Sequence, residues 1–377
     1  MEADVLPERV RTVQTVTGAT GNLSIDLGAI RRNYAKLRKL AAPARTAAVV
    51  KADAYGLGDR AVSAALYDEG CRHFFVAQFV EAQRLRPHLG RDAQVFVLNG
   101  LQPGNERACA AAGIIPVANS IEQLAAWNET GETLDRVLPV VLQFDTGMSR
   151  LGIAPQDRAD VLELIRQRGH VEVLFIMSHL ASADDPDSEQ NEDQLDEMRA
   201  IAGEFTGFDI CFANSGGIFL GEDFHGVLAR PGIALYGGAP NSDRPNPMDP
   251  VVSLDVAVVQ TRTVSAGAKV GYSGAHVTSA PRRLATIAAG YADGLPRSLS
   301  DRGAVYYGAT RLPIVGRVSM DSITVDITAL PEGTLQLGSL VEILGPHQTL
   351  EDIARDAGTI AYEILTSLGS RYHRQYL

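Results

Sequence analysis

The sequence predicts an α/β fold followed by a mainly β-strand fold: an N-terminal (β/α)₈ TIM barrel over residues 1–240 and a second domain over residues 241–377. Two observations support this division. First, short apolar runs alternate with polar, helix-prone stretches up to residue 235, as in a parallel sheet covered by helices on both faces. Second, residues 237–247 have the glycine- and proline-rich composition of a linker, and alternating short strands follow them.

Eight apolar runs are candidates for the barrel strands. The first ends at Lys51, and the others cover 73–78, 94–99, 114–118, 137–144, 172–179, 208–213 and 226–235. Eight strand–helix units in roughly 200 residues fit a closed barrel better than an open sheet. An open, doubly wound sheet is the alternative, but no G-x-G-x-x-G motif follows the first strand to support it.

Helices are predicted between the strands. Ile30, Tyr34 and Leu37 recur at helical spacing among basic residues, which is typical of an amphipathic helix beginning near Leu27. The other predicted helices cover 155–169, 188–203 and 350–357. Residues 22–27 alternate like a short strand, whereas the N-terminal residues before them show no clear period. We expect that N-terminal stretch to associate with the C-terminal domain.

Composition and charge restrict the class of protein. The chain has 377 residues, 45% of them hydrophobic, and a net charge of −11, which argues against a surface for nucleic acid or anionic membrane. Its three cysteines, Cys71, Cys109 and Cys211, have neither metal-ligand spacing nor a disulfide pattern. The N-terminus has no apolar segment typical of a signal peptide or membrane anchor. We therefore expect a cytoplasmic enzyme without a metal.

An isolated lysine ends the first predicted strand. Ala47–Val50 are apolar and lead into Lys51 in the string V-V-K-A-D-A-Y-G. Burying a charged lysine there is costly. One interpretation is a lysine that reaches solvent or forms a salt bridge. The other is a Schiff-base lysine, whose amine becomes nucleophilic when it is buried.

Other polar residues also fall where predicted strands end. Arg150 follows the fifth strand, His179 ends the sixth and Arg230 lies within the eighth. In a barrel the functional residues lie at the C-terminal ends of the strands. Taken singly, His179 could be a hydrogen-bonded core residue and Arg230 a member of a structural ion pair. Together they favour a ligand site at this end of the barrel.

The string Asn214-Ser215-Gly216-Gly217 follows the seventh strand and has two interpretations. It could be a plain helix cap. Alternatively, its backbone N–H groups could bind a phosphate, because the loops after strands seven and eight are the usual phosphate site of such barrels.

Three polar motifs stand out in the predicted β domain. Tyr272 and Tyr291 each lie in a glycine-rich turn, and Gly316–Asp321 form a third polar loop. A single tyrosine in a turn more often packs against its surroundings. Two tyrosines with a polar loop call for a shared explanation.

Six motifs, in this order, resemble the alanine racemase family, which consists of fold-type III racemases that depend on pyridoxal 5'-phosphate. The motifs are K-A-D-A-Y-G, D-T-G-M-S-R-L-G, R-P-G-I-A-L-Y-G, V-G-Y-S-G, G-Y-A-D-G and G-R-V-S-M-D. The resemblance implies an N-terminal barrel, a C-terminal β domain and a homodimer. Each active site of that homodimer would include the β domain of the partner subunit.

The resemblance also implies roles for individual residues. Lys51 would bind the cofactor covalently, and Tyr272 of the partner subunit would be the opposing base. Cofactor contacts are implied for Tyr55, Arg150, His179, Asn214, Ser215, Arg230, Gly232, Ile233 and Tyr362. Arg150 and Met320 would also contact the substrate carboxylate. The gate and outer entry would be formed by Tyr291, Asp184, Arg297, Arg317 and Ile360.

Such a set suits racemisation, here the interconversion of L- and D-alanine. Two bases on opposite faces remove and return the α-proton without rotating the substrate. Lysine and tyrosine have pKa values of about 10.4 and 10 in water, so their surroundings must deprotonate one of them. Arg230 stays charged and would leave the pyridine nitrogen unprotonated, which disfavours transamination because it weakens the ring as an electron sink. The implied role is to supply D-alanine for peptidoglycan.

Two positions depart from the family pattern. Members commonly have a carbamylated lysine two residues before the Asp of D-T-G-M, and this chain has Gln143 there. Gln143 brings no charge, so Arg150 must be held either by a direct hydrogen bond or by a bound anion such as chloride. Cys211 stands where some relatives have a histidine near Arg230.

Three alternatives are open from the sequence. The nearest is a racemase of broader range or one specific for serine or a basic amino acid. A decarboxylase of the same fold would be expected to keep an acidic residue where this chain has Arg230. A non-catalytic pyridoxal-phosphate carrier would be a barrel alone, and residues 241–377 argue against it.

Overall fold

The computed structural model describes residues 18–167, 169–242 and 244–377. They form two compact units, one of which is Leu27–Asp249. The other consists of the described residues up to Asp26, including strand β1 (Gly21–Ile25), together with Pro250–Leu377. The predictions made for the extreme N-terminus, including the absence of a signal peptide, concern residues outside those described. No described helix is both long enough and apolar enough to cross a membrane.

The unit Leu27–Asp249 is a barrel of short parallel strands, as the alternating pattern predicts. In chain order, the strands are β2 (Arg45–Thr46), β3 (Ala48–Val49), β4 (His73–Val76), β5 (Gln94–Val97), β6 (Ile115–Ala118), β7 (Leu138–Gln143), β8 (Val171–Met177), β9 (Ile210–Cys211) and β10 (Leu228–Ala229). Strands β3 to β9 pair sequentially. β10 pairs in parallel with β2, and Arg230 N donates to the Ala213 carbonyl at 2.8 Å beyond β9. This closure confirms the TIM-barrel prediction.

Helices alternate with the strands of this unit. They are α1 (Leu27–Ala41), α2 (Lys51–Gly56), α3 (Asp59–Asp68), α4 (Phe79–Leu85), α5 (Glu106–Ala112), α6 (Ile121–Leu134), α7 (Arg158–Arg166) and α8 (Glu189–Glu204). In α1, Ile30, Tyr34 and Leu37 are buried, because residues at this spacing share one face of a helix. Helices α7 and α8 occupy the stretches predicted to be helical.

The last predicted barrel strand is shorter than expected. The apolar run 226–235 forms β10 over two residues only, and Ile233–Tyr236 form a 3₁₀ turn. Both parts are buried, so an apolar run by itself does not separate a buried strand from a buried turn. The turn matters because it follows Arg230 and Gly232 directly.

The other unit is rich in strands, as predicted. Besides β1 it contains β11 (Val252–Val264), β12 (Lys269–Val270), β13 (His276–Val277), β14 (Arg282–Ile287), β15 (Ala304–Tyr307), β16 (Thr310–Pro313), β17 (Ile323–Asp326), β18 (Leu340–Leu344) and β19 (His373–Tyr376). The sheet order is β16-β15-β18-β11-β1-β19, and β14 pairs with β11 and β17. An irregularity between Val258 and Gln260 divides β11. Its first half therefore pairs with β1 and β18, and its second half with β14.

Two helices, α9 (Leu350–Ala357) and α10 (Ala361–Ser367), lie near the end of the chain. α9 occupies the predicted stretch and begins after Thr349, whose hydroxyl accepts a hydrogen bond from Asp352 N at 3.2 Å. Such a cap satisfies an N–H group that has no partner within the helix. α10 carries Tyr362, and Ile360 lies at its N-terminus.

Candidate active site

Lys51 begins an unusual helical segment at the end of the first barrel strand. The next four residues, Ala52–Tyr55, have φ between 52° and 56°, so this turn of α2 is left-handed. Residues other than glycine avoid that conformation by about 1–2 kcal/mol each. The surrounding contacts must therefore stabilise the turn, and they fix the direction in which the chain leaves Lys51.

Glu81 supplies one of these contacts. One of its carboxylate oxygens accepts a hydrogen bond from Ala52 N at 2.6 Å. The other accepts from Ala77 N and Gln78 N, both at 2.8 Å. Hydrogen bonds to an ionised acceptor are stronger than neutral ones, so Glu81 joins the turn after Lys51 to the end of β4.

The surroundings of Lys51 favour its neutral form. Its pKa is lowered from the ordinary value of 10.5, chiefly by burial and then by the charges of Arg150 and Arg230, whereas Glu81 acts in the opposite direction. Within the described residues no ion pair includes Lys51. These observations support a nucleophilic amine over a lysine held in a salt bridge.

Arg230 is a buried cation. It is 3% exposed. Its Nε donates to Cys211 Sγ at 3.1 Å, and its terminal nitrogen donates to the carbonyls of Ser178 and Phe212. No acidic side chain among the described residues pairs with it. Burial raises the pKa of Cys211, so the neutral thiol leaves the charge of Arg230 available to a ligand.

His179 follows β8 and is neutral. Burial, followed by the charges of Arg230, Arg150 and Lys51, lowers its pKa to about 3. A neutral imidazole adds no further positive charge to this cluster. It therefore suits the predicted role of lining a flat aromatic ring better than that of pairing with an anion.

The loops after β9 and β10 meet through Ser215. Its hydroxyl accepts hydrogen bonds from Gly232 N at 2.9 Å and from Ala234 N at 3.3 Å. Asn214 caps the neighbouring 3₁₀ turn, because its Oδ1 accepts from Gly217 N at 2.9 Å. Thus the helix-cap interpretation describes Asn214, whereas Ser215 joins the two loops that were predicted to bind phosphate.

Tyr55 lies directly against Gly232. A Cβ atom built on Gly232 would lie 2.3 Å from the Tyr55 hydroxyl, so a larger residue would displace it. On its other side the Tyr55 ring packs on Tyr236 with centroids 4.7 Å apart. The Tyr236 hydroxyl donates to the Val49 carbonyl at 2.8 Å. The last turn of the barrel therefore supports the segment that follows Lys51.

These features fit pyridoxal 5'-phosphate. Within the described part of the chain, the backbone N–H groups of Ser215, Gly216 and Ile233 have no protein acceptor, and donors at the start of a helical turn suit a phosphate. Lys51 offers the amine that would bind the aldehyde. Arg230 offers a donor that stays charged for the pyridine nitrogen.

Gln143 and Arg150 differ in their exposure to solvent. Gln143 ends β7 and is 5% exposed, whereas Arg150 is exposed. No hydrogen bond joins their side chains within the described ranges. The loop that carries Arg150 is shaped by Asp145, whose Oδ1 accepts from Gly147 N, Met148 N and Ser149 N at 2.9–3.1 Å. The described residues therefore show no direct hydrogen bond between these two side chains.

The remaining predicted residues lie at the surface of their units. Asp184 is an exposed residue of the barrel unit, and its carbonyl accepts from Ser242 N at 2.8 Å. In the other unit the exposed residues are Tyr272, Tyr291, Arg297, Arg317, Met320, Ile360 and Tyr362. Tyr272 is 70% exposed. The structure thus brings Lys51, Arg150, His179 and Arg230 together in one unit. On the other unit, Tyr272, Tyr291, Tyr362 and Met320 are exposed.

Several residues that shape the site were missed by sequence reasoning. Glu81, Asp145 and Tyr236 hold the segments around Lys51 and Arg150, as described above. A signal was present for Glu81, because Gln78 three residues earlier forms a capping box with it at the start of α4. Nothing in the sequence indicates that the same carboxylate also reaches Ala52 N.

Comparisons with known proteins identify the family of the chain. The family model described as "Alanine racemase, N-terminal domain" matches residues 25–240, and "Alanine racemase, C-terminal domain" matches 251–376. The chain is 70% identical over its full length to "Alanine racemase, catabolic" of Rhizobium johnstonii, which is also covered completely. It is 60% identical to the protein of that name from Agrobacterium fabrum, over 97% of this chain and 94% of the relative.

A solved structure agrees as well. The alanine racemase of Bartonella henselae with covalently bound pyridoxal phosphate superposes with a TM-score of 0.92 and is 44% identical, covering 95% of this chain and all of that one. The predicted class of enzyme, an amino-acid racemase dependent on pyridoxal 5'-phosphate, is confirmed. Both family models and the full-length identity show that the chain belongs to the alanine racemase family.

Proposed function

We propose that this chain interconverts L- and D-alanine by a two-base mechanism that uses Lys51 and Tyr272 of the partner subunit. The observation that carries the proposal is the lowered pKa of Lys51 beside Arg150 and Arg230. A lowered pKa favours the neutral form of the amine, and only that form can accept a proton. The name shared by the two similar relatives supports alanine as the substrate.

Each residue has a separate task in this proposal. Pyridoxal 5'-phosphate, when bound, draws electrons from the α-carbon and so acidifies its C–H bond. The Lys51 amine takes or returns the α-proton on one face, and the Tyr272 hydroxyl does so on the other. Arg150 holds the substrate carboxylate together with the backbone N–H of Met320. Tyr55, Ser215, Gly232, Ile233 and Tyr362 hold the phosphate.

Exchange of the α-proton with solvent tests the two bases separately. In D₂O, Tyr272→Phe should lose α-deuteration of one alanine enantiomer and keep it for the other, because each enantiomer presents its proton to a different base. Lys51→Ala with added methylamine should show the opposite preference. Tyr306→Phe, a matched change at a tyrosine that stacks on His347, should leave both exchanges intact. Loss of both exchanges in Tyr272→Phe would indicate a single base.

Covalent attachment is tested by reduction. The chain contains four lysines, at positions 36, 39, 51 and 269, so three of them serve as internal controls. Borohydride treatment of the holoenzyme followed by peptide mapping should label Lys51. A label on another lysine would overturn its proposed role. Racemisation measured across a panel that includes alanine, serine and basic amino acids would then define the substrate range.

The assembly and location are part of the same proposal. The proposed assembly is a homodimer whose active sites each use both chains. The exposure of Tyr272, Met320 and Tyr362 supports it. A reducing compartment such as the cytoplasm is supported by Cys71, Cys109 and Cys211, all of which are free thiols. Ultracentrifugation and cell fractionation test these two statements.

Two metabolic roles are compatible with the reaction. The sequence motifs imply a supply of D-alanine for peptidoglycan, but the relatives at 70% and 60% identity are both named catabolic. We therefore favour a role in the use of alanine as a nutrient. A deletion strain should grow poorly on L-alanine as sole carbon source and should not require added D-alanine. A strict requirement for D-alanine would favour the peptidoglycan role.

A further inference from the structure

Arg371, after the last helix, forms three hydrogen bonds with two carboxylates. Its Nε and one terminal nitrogen donate to the two carboxylate oxygens of Asp293 at 2.6 Å, and its other terminal nitrogen donates to Asp321 at 2.6 Å. The Asp293 side chain is 4% exposed, whereas that of Asp321 is 62% exposed. The planar guanidinium is suited to such a paired contact, and a lysine could not reproduce it.

The two carboxylates belong to the two loops that carry Tyr291 and Met320. Asp293 also accepts a hydrogen bond from Gly290 N at 2.9 Å. Asp321 directly follows Met320 in the sequence. The backbones of the loops are joined as well, because Tyr291 N donates to Ser319 O and Ala292 N to Met320 O, both at 3.0 Å.

The third segment in contact is the one that follows α10. Gly369 N donates to the Asp293 carbonyl at 3.1 Å. Gly294 has a φ of 93°, and a Cβ built on it would lie 2.0 Å from the Ser367 carbonyl. A Cβ on Gly290 would likewise lie 2.3 Å from the Ser319 carbonyl. Only glycine fits at these two points, so the three segments are in direct backbone contact around Arg371.

We propose that Arg371 is a positioning residue that holds the Tyr291 loop, the Met320 loop and the end of α10 as one rigid surface. The inference rests on the proposed function, in which this surface closes the active site of the partner subunit over a small amino acid. A rigid surface fixes the room beside the substrate. Loosening it should therefore weaken the binding of alanine and relax discrimination against a larger substrate such as serine.

A purely structural ion pair is the competing explanation. Exposed pairs contribute little to stability, but this one includes a buried carboxylate, and removing Arg371 would leave that charge uncompensated. The link to Asp321 is different because that carboxylate is exposed. Asp321→Asn removes the charge on the Met320 loop and preserves the buried contact with Asp293, so we expect the protein to fold.

The experiment compares Asp321→Asn and Arg371→Lys with the native holoenzyme. We expect KM for alanine to rise by about tenfold, as for the loss of one charge-assisted hydrogen bond, with a smaller change in kcat. The ratio of kcat/KM for serine to that for alanine should increase. Arg355→Gln is the control, because the Arg355 side chain is 69% exposed and bonds Asp352 at 2.7 Å within α9, and it should change neither constant.

A second measurement does not depend on activity. Backbone hydrogen exchange over residues 288–294 and 316–322 should become faster in both variants and stay unchanged in Arg355→Gln. The positioning role would be overturned if hydrogen exchange did not change. It would also be overturned if the variants had a lower melting temperature but the same KM and the same substrate ratio. If the native enzyme did not racemise alanine, the proposed function would fail, and the exchange measurement would still test Arg371.

Discussion

Lys51 differs from the other three lysines in its electrostatic surroundings. Burial and the nearby arginines favour its neutral form, so the pKa of its amine lies below the ordinary value of 10.5. Lys36, Lys39 and Lys269 are exposed. In the apoenzyme, we therefore predict that an amine-reactive reagent modifies Lys51 half-maximally at a lower pH than Lys39. Quantitative peptide mapping over a pH series measures both residues in one sample.

Substitutions should move this midpoint in opposite directions. Glu81 raises the pKa of Lys51, so Glu81→Gln should shift the midpoint to still lower pH. Arg150→Gln removes a positive charge that lowers the pKa, and should shift it upward. If Lys51 titrated with the exposed lysines in every variant, the electrostatic basis of its role as a base would be wrong.

Gln143 leads to a prediction about Arg150. A glutamine supplies an amide acceptor but no charge, and its side chain does not bond Arg150 among the described residues. Arg150 is proposed to hold the substrate carboxylate, and no acidic side chain pairs with it among the described residues. It should therefore bind an anion, with chloride the simplest candidate. Anomalous scattering from a bromide-soaked crystal should reveal a halide near both side chains. An empty site at high bromide would contradict this, and activity should in any case be independent of dissolved carbon dioxide.

Candidate site residues were predicted from their positions in the barrel strands. Lys51 and His179 end apolar runs and Arg230 lies within one, and together these positions favour a ligand site at one end of the barrel. Asp293 and Arg371 could not be paired in this way, because 78 residues separate them. Nothing in either local sequence indicates the other, and only the folded sheet brings them together.

The left-handed turn of α2 gives a prediction about one short element. Ala52 is exposed and has a φ of 53°, a conformation that glycine adopts without a steric cost. Ala52→Gly should therefore stabilise the barrel by up to about 1 kcal/mol. The same change at exposed Ala111, within the regular helix α5, should destabilise it by about 1 kcal/mol.

Thermal or urea unfolding of the two variants measures this difference in sign. The comparison controls for the loss of a methyl group, since both side chains are alanines at the surface. Equal destabilisation by both changes would show that the turn near Lys51 is not strained. Retention of activity in Ala52→Gly would further show that contacts such as the Glu81 hydrogen bond, and not the alanine itself, define the turn.

The strands and helices were predictable to different extents. Buried parallel strands require near-continuous apolar runs, and eight such runs were found where the barrel strands lie. The run 226–235 was misjudged in part, because Ile233–Tyr236 are buried in a 3₁₀ turn with the same apolar composition as a strand. The left-handed turn could not be predicted, because Ala52–Tyr55 have no residue that favours positive φ, apart from Asp53.

Contacts between distant parts of the chain are harder to predict from the sequence than single strands and helices. β1, at residues 21–25, pairs with β11, which begins at Val252, and with β19 at the end of the chain. Local periodicity identifies each of these strands and says nothing about such pairing. In the same way, Lys51 and Tyr272 belong to different compact units, so the proposal that they act on one substrate requires a test on the assembled protein.

Mixing two inactive variants provides that test. Lys51→Ala and Tyr272→Phe homodimers should each be nearly inactive, because every active site lacks one base. In a heterodimer with shared sites, one site has both defects and the other has neither. Random exchange of subunits in a two-fold symmetric dimer would then restore about a quarter of native activity, since half of the dimers are mixed and half of their sites are intact. Native mass spectrometry verifies the exchange, and Lys51→Ala mixed with the double variant should remain inactive. If verified exchange restored no activity, each active site would have to take Lys51 and Tyr272 from the same chain.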